Sequence, residues 1–342
     1  MVICAAQVPF VRGGAEELVA GLRQALAARG YAVEVVALPF KWYPPQAVLT
    51  HALAWRLLDL TEANGRPIDL VIATKYPSYL VKHPNKMTWL VHQFRQAYDL
   101  YGTPYGDLTD APEHRRVREA VIHMDTMALG ESRRRFTISA NVGERLARYN
   151  GLSSTTLYPP PRLDGRYRSG EFGDYVFTIG RLETIKRVDL LIQAMCAVPS
   201  GIRCVIAGAG PDRSRLEALA GELGVADRVT FLGYVDDAAV VDLYAGCLAA
   251  YYAPYDEDYG YVTVEAFKSG KPVVTARDAG GVLEFVRDGE TGRVVDPEPA
   301  CIAEAIGQLA VRRRQAQEMG AAGAALVRDI TWDRTLEVLL AP

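Results

Sequence analysis

The sequence has few cysteines and no paired arrangement of them. It contains 5 cysteines among 342 residues, and none of them forms a C-x-x-C pair. Without such clustering, metal ligation by cysteine is disfavoured. Because most of the five lie within apolar segments, we expect buried free thiols in a reducing compartment.

Long apolar runs are also missing. No run approaches the roughly 20 residues that cross a bilayer. The short apolar stretch at residues 2–6 has no basic segment before it, which a secretory signal would have. We therefore expect a cytoplasmic protein, with peripheral contact at the inner membrane face as an alternative.

The overall charge is small, but its distribution along the chain is uneven. A net charge of −3, with 49% hydrophobic and 23% charged residues, is ordinary for a globular protein and excludes disordered and collagen-like chains. It also argues against nucleic acid as a partner. Residues 1–163 carry a net +5 and residues 164–342 a net −8, which suggests two domains with different tasks.

Strands alternate with helices twice along the chain, which predicts an α/β protein with parallel sheets. Three consecutive prolines at positions 159–161 favour a stiff, extended linker between the two series. We predict an N-terminal domain at 1–160, a second domain at 161–325 and a C-terminal helix at 326–342 that packs on the first domain. Within these, a helix is expected at 45–63 and a turn-rich segment at 287–297.

Two glycine-containing loops between a strand and a helix could approach a phosphate. Gly13 and Gly14 lie in the first, and a simple tight turn is the alternative interpretation. Gly180, Arg181 and Lys186 lie in the second. Two cations there suit a diphosphate, although solvated surface charge would explain them equally.

A third candidate segment pairs two acids around a helix start. Glu257 precedes the predicted helix and Glu265 is expected two turns into it, with Gly260 at the turn between them. Backbone N–H groups at 262–264 would be available to an anion. The acids at 256 and 258 also form a D-x-D pattern that could hold a metal through phosphates, but we favour the interpretation without metal.

His92 and the residues after it end a strand of the first series, where a ligand contact or a structural role are both plausible. Near residue 208, a G-x-G pattern lacks the third glycine of a dinucleotide site, since Arg213 occupies its place. We therefore discount a nicotinamide cofactor.

Together these segments resemble the family 4 glycosyltransferases, which have the GT-B fold. The similarity is carried by GRLETIKRVDLLIQA, VIAGAGPDRSRLEAL, RVTFLGYVDD and EDYGYVTVEAFKSGKPVVTARDAGGVLEFVRDGETGRVV. It covers residues 163–325 almost throughout. The first domain is covered more thinly, through GGAEELV, HQFR and TISANVGERL.

The resemblance implies two Rossmann-like domains facing a central cleft and a retaining transfer from a UDP- or GDP-sugar to a hydroxyl group, without metal or cofactor. The acceptor would be a glycan, a lipid-linked molecule or a small metabolite. The residues that the resemblance implies as catalytic are His92, Arg181, Lys186 and Glu257. Donor-binding residues would be Gly13, Gly14, Gly180, Arg181, Lys186, Glu257, Gly260, Tyr261, Val262, Thr263 and Glu265. Acceptor-side residues would be Arg95, Tyr98 and Asp99.

Other functions remain open at this point. A sugar phosphorylase, an epimerase, a non-catalytic nucleotide-sugar sensor or a dinucleotide oxidoreductase would each share parts of the pattern. The basic side chains of the first domain could meet an anionic acceptor or a membrane surface, or could simply be solvated. These side chains are Arg115, Arg116, Arg118, Arg133, Arg134 and Arg135.

Overall fold

The computed structural model describes residues 1–341, which form two compact units. The first comprises Met1–Arg162 together with the chain from Ile330 onward, and the second comprises Leu163–Asp329. Within residues 1–341, no helix is both long and apolar enough to cross a bilayer.

Six parallel strands form the main sheet of the first unit, in the order β2-β1-β5-β6-β7-β8. The strands are β1 (Val2–Gln7), β2 (Glu34–Pro39), β3 (Glu62–Ala63), β4 (Arg66–Pro67), β5 (Val71–Ala73), β6 (Lys86–Leu90), β7 (Arg134–Thr137) and β8 (Thr155–Thr156), of which β3 and β4 form a separate hairpin. The helices are α1 (Gly14–Ala28), α2 (Ala47–Leu57), α3 (Pro112–Gly130) and α4 (Ala140–Asn150).

The first helix shows how the sequence produces this unit. Leu18, Leu22 and Leu26 recur every four residues, so they share one face, and all three are buried. Gly30 follows the helix in the left-handed region, with φ +85°. A glycine there ends the helix at little steric cost.

The second unit repeats this architecture with another six parallel strands, in the order β11-β10-β9-β12-β13-β14. The strands are β9 (Tyr175–Ile179), β10 (Arg203–Ala207), β11 (Val229–Gly233), β12 (Ala249–Tyr251), β13 (Val273–Ala276) and β14 (Gly292–Val295). The helices are α5 (Val188–Ala194), α6 (Arg213–Glu222), α7 (Asp237–Gly246), α8 (Tyr261–Lys268), α9 (Pro299–Val311) and α10 (Arg313–Leu326).

In both sheets the strand order reverses beside the first strand. The reversal lies between β1 and β5 in the first unit and between β9 and β12 in the second. In open α/β sheets, ligands bind outside the carboxyl ends of the strands at such a reversal. Each unit therefore offers one expected binding edge.

The last helix, α11 (Trp332–Leu339), packs within the first unit. The Trp332 ring lies against Gly21 of α1, where an added Cβ would come within 2.3 Å of the ring. It also meets Trp89 edge to face, with ring centroids 6.3 Å apart. A larger residue at position 21 would therefore force this helix away.

One expectation about local structure is wrong, and a second, which predicted turns that are present, missed a strand. The helix expected at 45–63 ends at Leu57 and is followed by the β3–β4 hairpin. Asn64 and Gly65 form its turn with φ of +53° and +73°, the positive values that an Asn-Gly hairpin turn requires. The turn-rich segment at 287–297 contains strand β14, which lies so close to β13 that a Cβ on Gly292 would be 2.1 Å from the Val273 carbonyl oxygen.

Cysteine burial is mixed. Cys4, Cys204 and Cys247 are buried, whereas Cys196 is exposed and Cys301 is half-buried, and all five are free thiols. Burial raises the pKa of the Cys4 thiol to about 12, so this group is inert near neutral pH.

Candidate functional site

Three loops at the carboxyl edge of the second sheet carry most of the predicted donor-binding residues. They follow β9, β12 and β13, the strands around the reversal of strand order. The first loop holds Gly180, Arg181 and Lys186, the second Glu257 and Gly260, and the third the glycine pair at 280–281.

Lys186, Glu257 and Tyr252 form one cluster across two of these loops. The Lys186 ammonium pairs with Glu257 Oε2. The Tyr252 hydroxyl donates to the same oxygen over 2.8 Å and lies 3.4 Å from Lys186 Nζ. Burial, followed by the Glu257 charge, raises the pKa of Tyr252 well above its usual value, so the phenol stays protonated and donates.

The backbone fixes Glu257 beside the third loop. Its N–H donates to the Ala279 carbonyl over 3.1 Å, and its own carbonyl accepts from Gly281 N–H over 2.7 Å. A Cβ on Gly281 would lie 2.4 Å from the Asp258 carbonyl oxygen, so only glycine permits this close approach. The acid is thus held by main-chain bonds as well as by its side chain.

Arg181, the second predicted phosphate cation, is paired with Glu183 and is about half exposed. The G-x-G pattern at 208–210 packs against this same loop. Added Cβ atoms on Gly208 and Gly210 would lie 1.9 and 2.3 Å from the carbonyl oxygens of Gly180 and Leu182. These glycines therefore serve close packing of the loops after β9 and β10.

Helix α8 begins at the centre of this edge. Gly260 precedes it with φ +83°, and a Cβ there would lie 2.9 Å from the Tyr252 ring. Thr263 N–H donates to the Gly260 carbonyl, while its buried Oγ1 has no hydrogen-bond partner among the described residues. Tyr261 and Val262 complete the first turn, whose N–H groups carry partial positive charge.

Glu265 lies just over one turn into α8, not two turns as expected, because the helix begins at Tyr261. The Tyr244 hydroxyl of α7 donates to Glu265 Oε2 over 2.8 Å. Burial and then the Glu265 charge raise the pKa of Tyr244, so this hydroxyl also acts as a donor. The bond fixes the carboxylate on the helix face.

The acids of the D-x-D pattern occupy the turn before α8. Asp256 adopts φ +41°, and the Asp258 side chain is buried. Among residues 1–341, no group of three or more His, Cys, Asp or Glu side chains could hold a metal ion.

In the first unit, the first turn of α1 has an ion pair that residue spacing did not predict. Glu16 Oε2 accepts from Gly13 N–H over 2.9 Å, and its Oε1 pairs with Lys75 Nζ at 2.6 Å. Lys75 follows β5, the strand across the reversal, and Gly14 opens α1. The signal that could have indicated it is a lysine two residues after a buried apolar strand.

Several side chains after β6 are buried in the first unit and are not exposed at the sheet edge. Tyr98 is only 1% exposed, and its hydroxyl donates to buried Asp125 over 2.7 Å. Asp99 pairs with Arg95 and with Arg145, the latter at 2.8 Å. The expected acceptor-side placement of Tyr98 does not fit this burial, because the ring belongs to the core.

His92 is half-buried at the end of this strand. Its Nδ1 lies 2.7 Å from the Gln93 carbonyl oxygen. A neutral ring that donates there would leave Nε2 as an acceptor.

The basic side chains of the first unit divide into two groups. Arg134 and Arg135 donate to backbone carbonyls, and Arg118 does so while stacking on the Tyr101 ring at 4.5 Å. The exposed members are Arg115, Arg116 and Arg133. Half of the basic set therefore serves internal packing.

Two Rossmann-like units, each with a reversal of strand order at its sheet, define the GT-B class of proteins. The model for glycosyl transferases group 1 matches residues 166–325. A D-inositol 3-phosphate glycosyltransferase of Nocardia farcinica is 31% identical over 339 residues, covering 90% of this chain and 73% of the relative. The chain belongs to the group 1, or family 4, glycosyltransferases, as the sequence analysis predicted.

Solved structures agree on the fold. Sucrose-phosphate synthase from Thermosynechococcus elongatus has a TM-score of 0.78 at 19% identity, covering 99% of this chain and 97% of that one. Anabaena HepE in complex with UDP-glucose has a TM-score of 0.71 at 18% identity, with both chains covered completely. These structures bear on the fold alone, whereas the family membership identifies the protein as an enzyme, a hexosyltransferase that uses nucleotide-sugar donors.

Proposed function

We propose that this enzyme transfers a hexose from a UDP- or GDP-sugar to a hydroxyl acceptor, with retention of anomeric configuration and without a metal ion. The donor binds the second unit and the acceptor the first. The observation that carries the proposal is the convergence of Lys186, Glu257 and the start of α8 at one strand reversal, with Arg181 on an adjoining loop.

The reaction leaves negative charge on the nucleoside diphosphate as the bond from sugar to phosphate breaks. Lys186, Arg181 and the first turn of α8 offer positive charge to receive it, which is the task a metal performs in other transferases. Gly180 and Gly260 lie at turns beside these cationic groups and have no Cβ atom, so the backbone there leaves room for a phosphate. These groups form the leaving-group side of the proposed site.

The two acids have separate proposed tasks. Glu265 on α8, which is fixed by Tyr244 of α7, accepts hydrogen bonds from the ribose hydroxyls, and Glu257 accepts them from the transferred sugar. His92 is proposed to contact the reacting sugar. Gly13 and Gly14 are proposed to approach the diphosphate.

The acceptor site is proposed at the reversal between β1 and β5, with Lys75 as its cation and with Arg95, which follows the neighbouring strand β6, as a second candidate contact. Lys75 is largely buried and paired with Glu16, so an anionic group of an acceptor would compete with one carboxylate. Since the Nocardia farcinica relative is named for inositol 3-phosphate, we propose a small phosphorylated polyol. Glycan and lipid-linked acceptors are the alternatives, which the acceptor comparison below distinguishes. We also propose that Arg115, Arg116 and Arg133 could contact a membrane surface peripherally.

Ligand-induced thermal stabilisation tests the donor directly. UDP-, GDP-, ADP- and TDP-sugars are compared, and the true donor should raise the Tm by mass action. The rate of transfer from the donor so identified should be unchanged in EDTA, and strict metal dependence would favour the D-x-D interpretation. Acceptors are then ranked with phosphorylated and unphosphorylated polyols, oligosaccharides and lipid-linked sugars.

Site variants test the assignment. Arg181→Ala and Glu265→Ala should each lose nearly all transfer. The Tm of the unliganded protein should stay near that of the wild type in Arg181→Ala and fall in Glu265→Ala, because the buried Tyr244 hydroxyl loses its acceptor. Full activity in both variants would refute the site, whatever the donor panel shows.

A further inference from the structure

Arg187 is a buried arginine that the proposed chemistry does not use. It follows Lys186 directly, adopts φ +51° and is 8% exposed. A left-handed backbone is unfavourable for a residue with a Cβ, and a buried guanidinium must find hydrogen-bond acceptors. Both costs point to contacts that compensate them.

The guanidinium reaches both of the other loops of the proposed donor site. Its Nε donates to the Ala253 carbonyl over 2.8 Å and its Nη2 to the Pro254 carbonyl over 2.9 Å, both in the loop after β12. Nη2 and Nη1 also bind the two carboxylate oxygens of Asp278 after β13, at 2.6 and 2.8 Å. One side chain therefore joins three loops.

Main-chain bonds continue this connection up to the site itself. Tyr255 N–H donates to the Ile185 carbonyl over 3.0 Å, and Asp256 N–H donates to the Asp278 carbonyl over 2.9 Å. Lys186 follows the first of these contacts in sequence, and Glu257 follows the second. The spacing between the Lys186 ammonium and the Glu257 carboxylate thus depends on the same bonds.

We propose that Arg187, with Asp278, is a positioning residue that sets the spacing of Lys186 and Glu257 for the donor. The inference rests on the proposed function of those two residues. A planar fork that binds one carboxylate through two bonds fixes direction as well as distance, which a lysine cannot do. The pair holds the site in its binding arrangement before the donor arrives.

Arg187→Gly is the informative variant, because glycine fits the left-handed backbone while the fork is lost. Donor KM should rise about tenfold and kcat should fall, while acceptor KM stays unchanged, since misplaced binding groups weaken donor binding and transition-state contacts together. Arg187→Lys should fail to restore the donor KM. Asp278→Asn should shift the donor KM in the same direction by a smaller factor.

Arg228→Gly is the matched control in the same unit. Arg228 is half-buried and donates to the carbonyls of Val198 and Pro199 over 3.1 and 3.4 Å, before β11 and away from the proposed site. It should lower the Tm without changing donor KM. If Arg228→Gly raised donor KM as much as Arg187→Gly does, general destabilisation would explain the effect of both variants, and the inference would be overturned.

Lys186→Ala separates failure of the inference from failure of the proposed function. If Lys186→Ala impairs transfer while Arg187→Gly leaves both donor KM and kcat unchanged, the positioning role is wrong and the proposed site stands. If Lys186→Ala leaves transfer intact, the proposed site is wrong, and the positioning role falls with it.

Discussion

The two units place charged side chains after the strands of similar sheets, yet they use them differently. In the second unit, the Lys186–Glu257 pair lies at the sheet edge and remains partly open to solvent, at 24% and 15% side-chain exposure. In the first unit, Asp99 and Arg145 after β6 and in α4 form a pair at 11% and 5% exposure. The first pair is the more accessible of the two and belongs to the proposed donor site, whereas the second lies in the interior.

The interior pair belongs to a longer chain of polar contacts. Arg145 Nε donates to Gln93 Oε1 over 3.1 Å, and Gln93 Nε2 donates to Asn150 Oδ1 over 3.3 Å. Asn150 then donates to Thr126, beside buried Asp125 on α3. Buried polar groups satisfied in this way connect the end of β6 to two helices and hold it rigidly. The comparison teaches that a charge after a strand indicates a binding edge only when the side chain stays accessible.

The largest expected effect tests the ligand-facing side of this comparison. Lys186→Ala should lower kcat by a factor of about 10²–10³, or about 3 kcal/mol, by analogy with the loss of one donor to a developing anion. The Tm should change little, because a partly exposed pair stabilises weakly. Steady-state kinetics with saturating acceptor, together with thermal unfolding, would measure both.

Lys268→Ala is the control for that variant. Lys268 ends α8 and pairs with Asp164 at 2.7 Å, with side-chain exposures of 12% and 18% that resemble those of the Lys186 pair. Because it lies at the opposite end of the helix from Gly260, transfer should be unchanged. Equal loss in both variants would mean that any ion pair of this unit supports activity, and the contrast between the units would fail.

The second effect, on stability, tests the interior side. Burial raises the pKa of Asp125 to about 7, well above its usual value near 4. Between those values the folded protein holds a proton that the unfolded chain releases, so this carboxyl contributes stability that is present below pH 4 and lost as the pH rises through 7. Asp125→Asn still accepts from Tyr98 without ever charging. Its free energy of unfolding at pH 8 should exceed that of the wild type by up to about 4 kcal/mol, since each unit of pKa difference is worth about 1.4 kcal/mol. The difference should vanish near pH 4.

Asp110→Asn provides the matched comparison for Asp125→Asn. The Tyr101 hydroxyl donates to Asp110 over 2.7 Å, as Tyr98 does to Asp125, but at the surface. Denaturant unfolding across pH 4–8 should give this variant the slope of the wild type. Parallel curves for Asp125→Asn and the wild type would contradict the interior role of Asp125.

The sequence predicts the parts of this molecule that depend on local pattern. Alternating strands and helices, the glycine-containing loops and the acids at 257 and 265 all follow from residue spacing, and the family similarity gives the architecture. Burial of polar side chains does not follow, because Tyr98 and Glu257 each come shortly after a strand and look equivalent in sequence. The packing of α3 and α4, which are distant in sequence, encloses the side chain of Tyr98.

Long-range polar contacts were the other part beyond reach. Glu16 and Lys75 are 59 positions apart, and Arg187 and Asp278 are 91 apart. The residues of each pair are distant in sequence, but they follow strands that are adjacent in the sheet or separated by one strand. Without knowledge of the strand order, no spacing rule connects such residues.

The smallest expected effect concerns the ion pair between Glu183 and Arg181, the second cation that is predicted to bind the donor phosphates. Glu183 binds Arg181 at a half-exposed position, so a donor phosphate must compete with this carboxylate for the guanidinium. Glu183→Gln removes the competing charge and should lower donor KM about two- to threefold, consistent with about 0.5 kcal/mol for an exposed pair. The decrease in donor KM should become smaller as salt is raised, since salt screens exposed charges.

Glu217→Gln is the control for Glu183→Gln. It breaks the similarly exposed Arg213–Glu217 pair on α6 and should leave donor KM unchanged. If Glu183→Gln instead raises donor KM, the pair aligns Arg181 for the phosphate, and the second unit pre-organises its cations by the same acid pairing that stabilises the interior of the first.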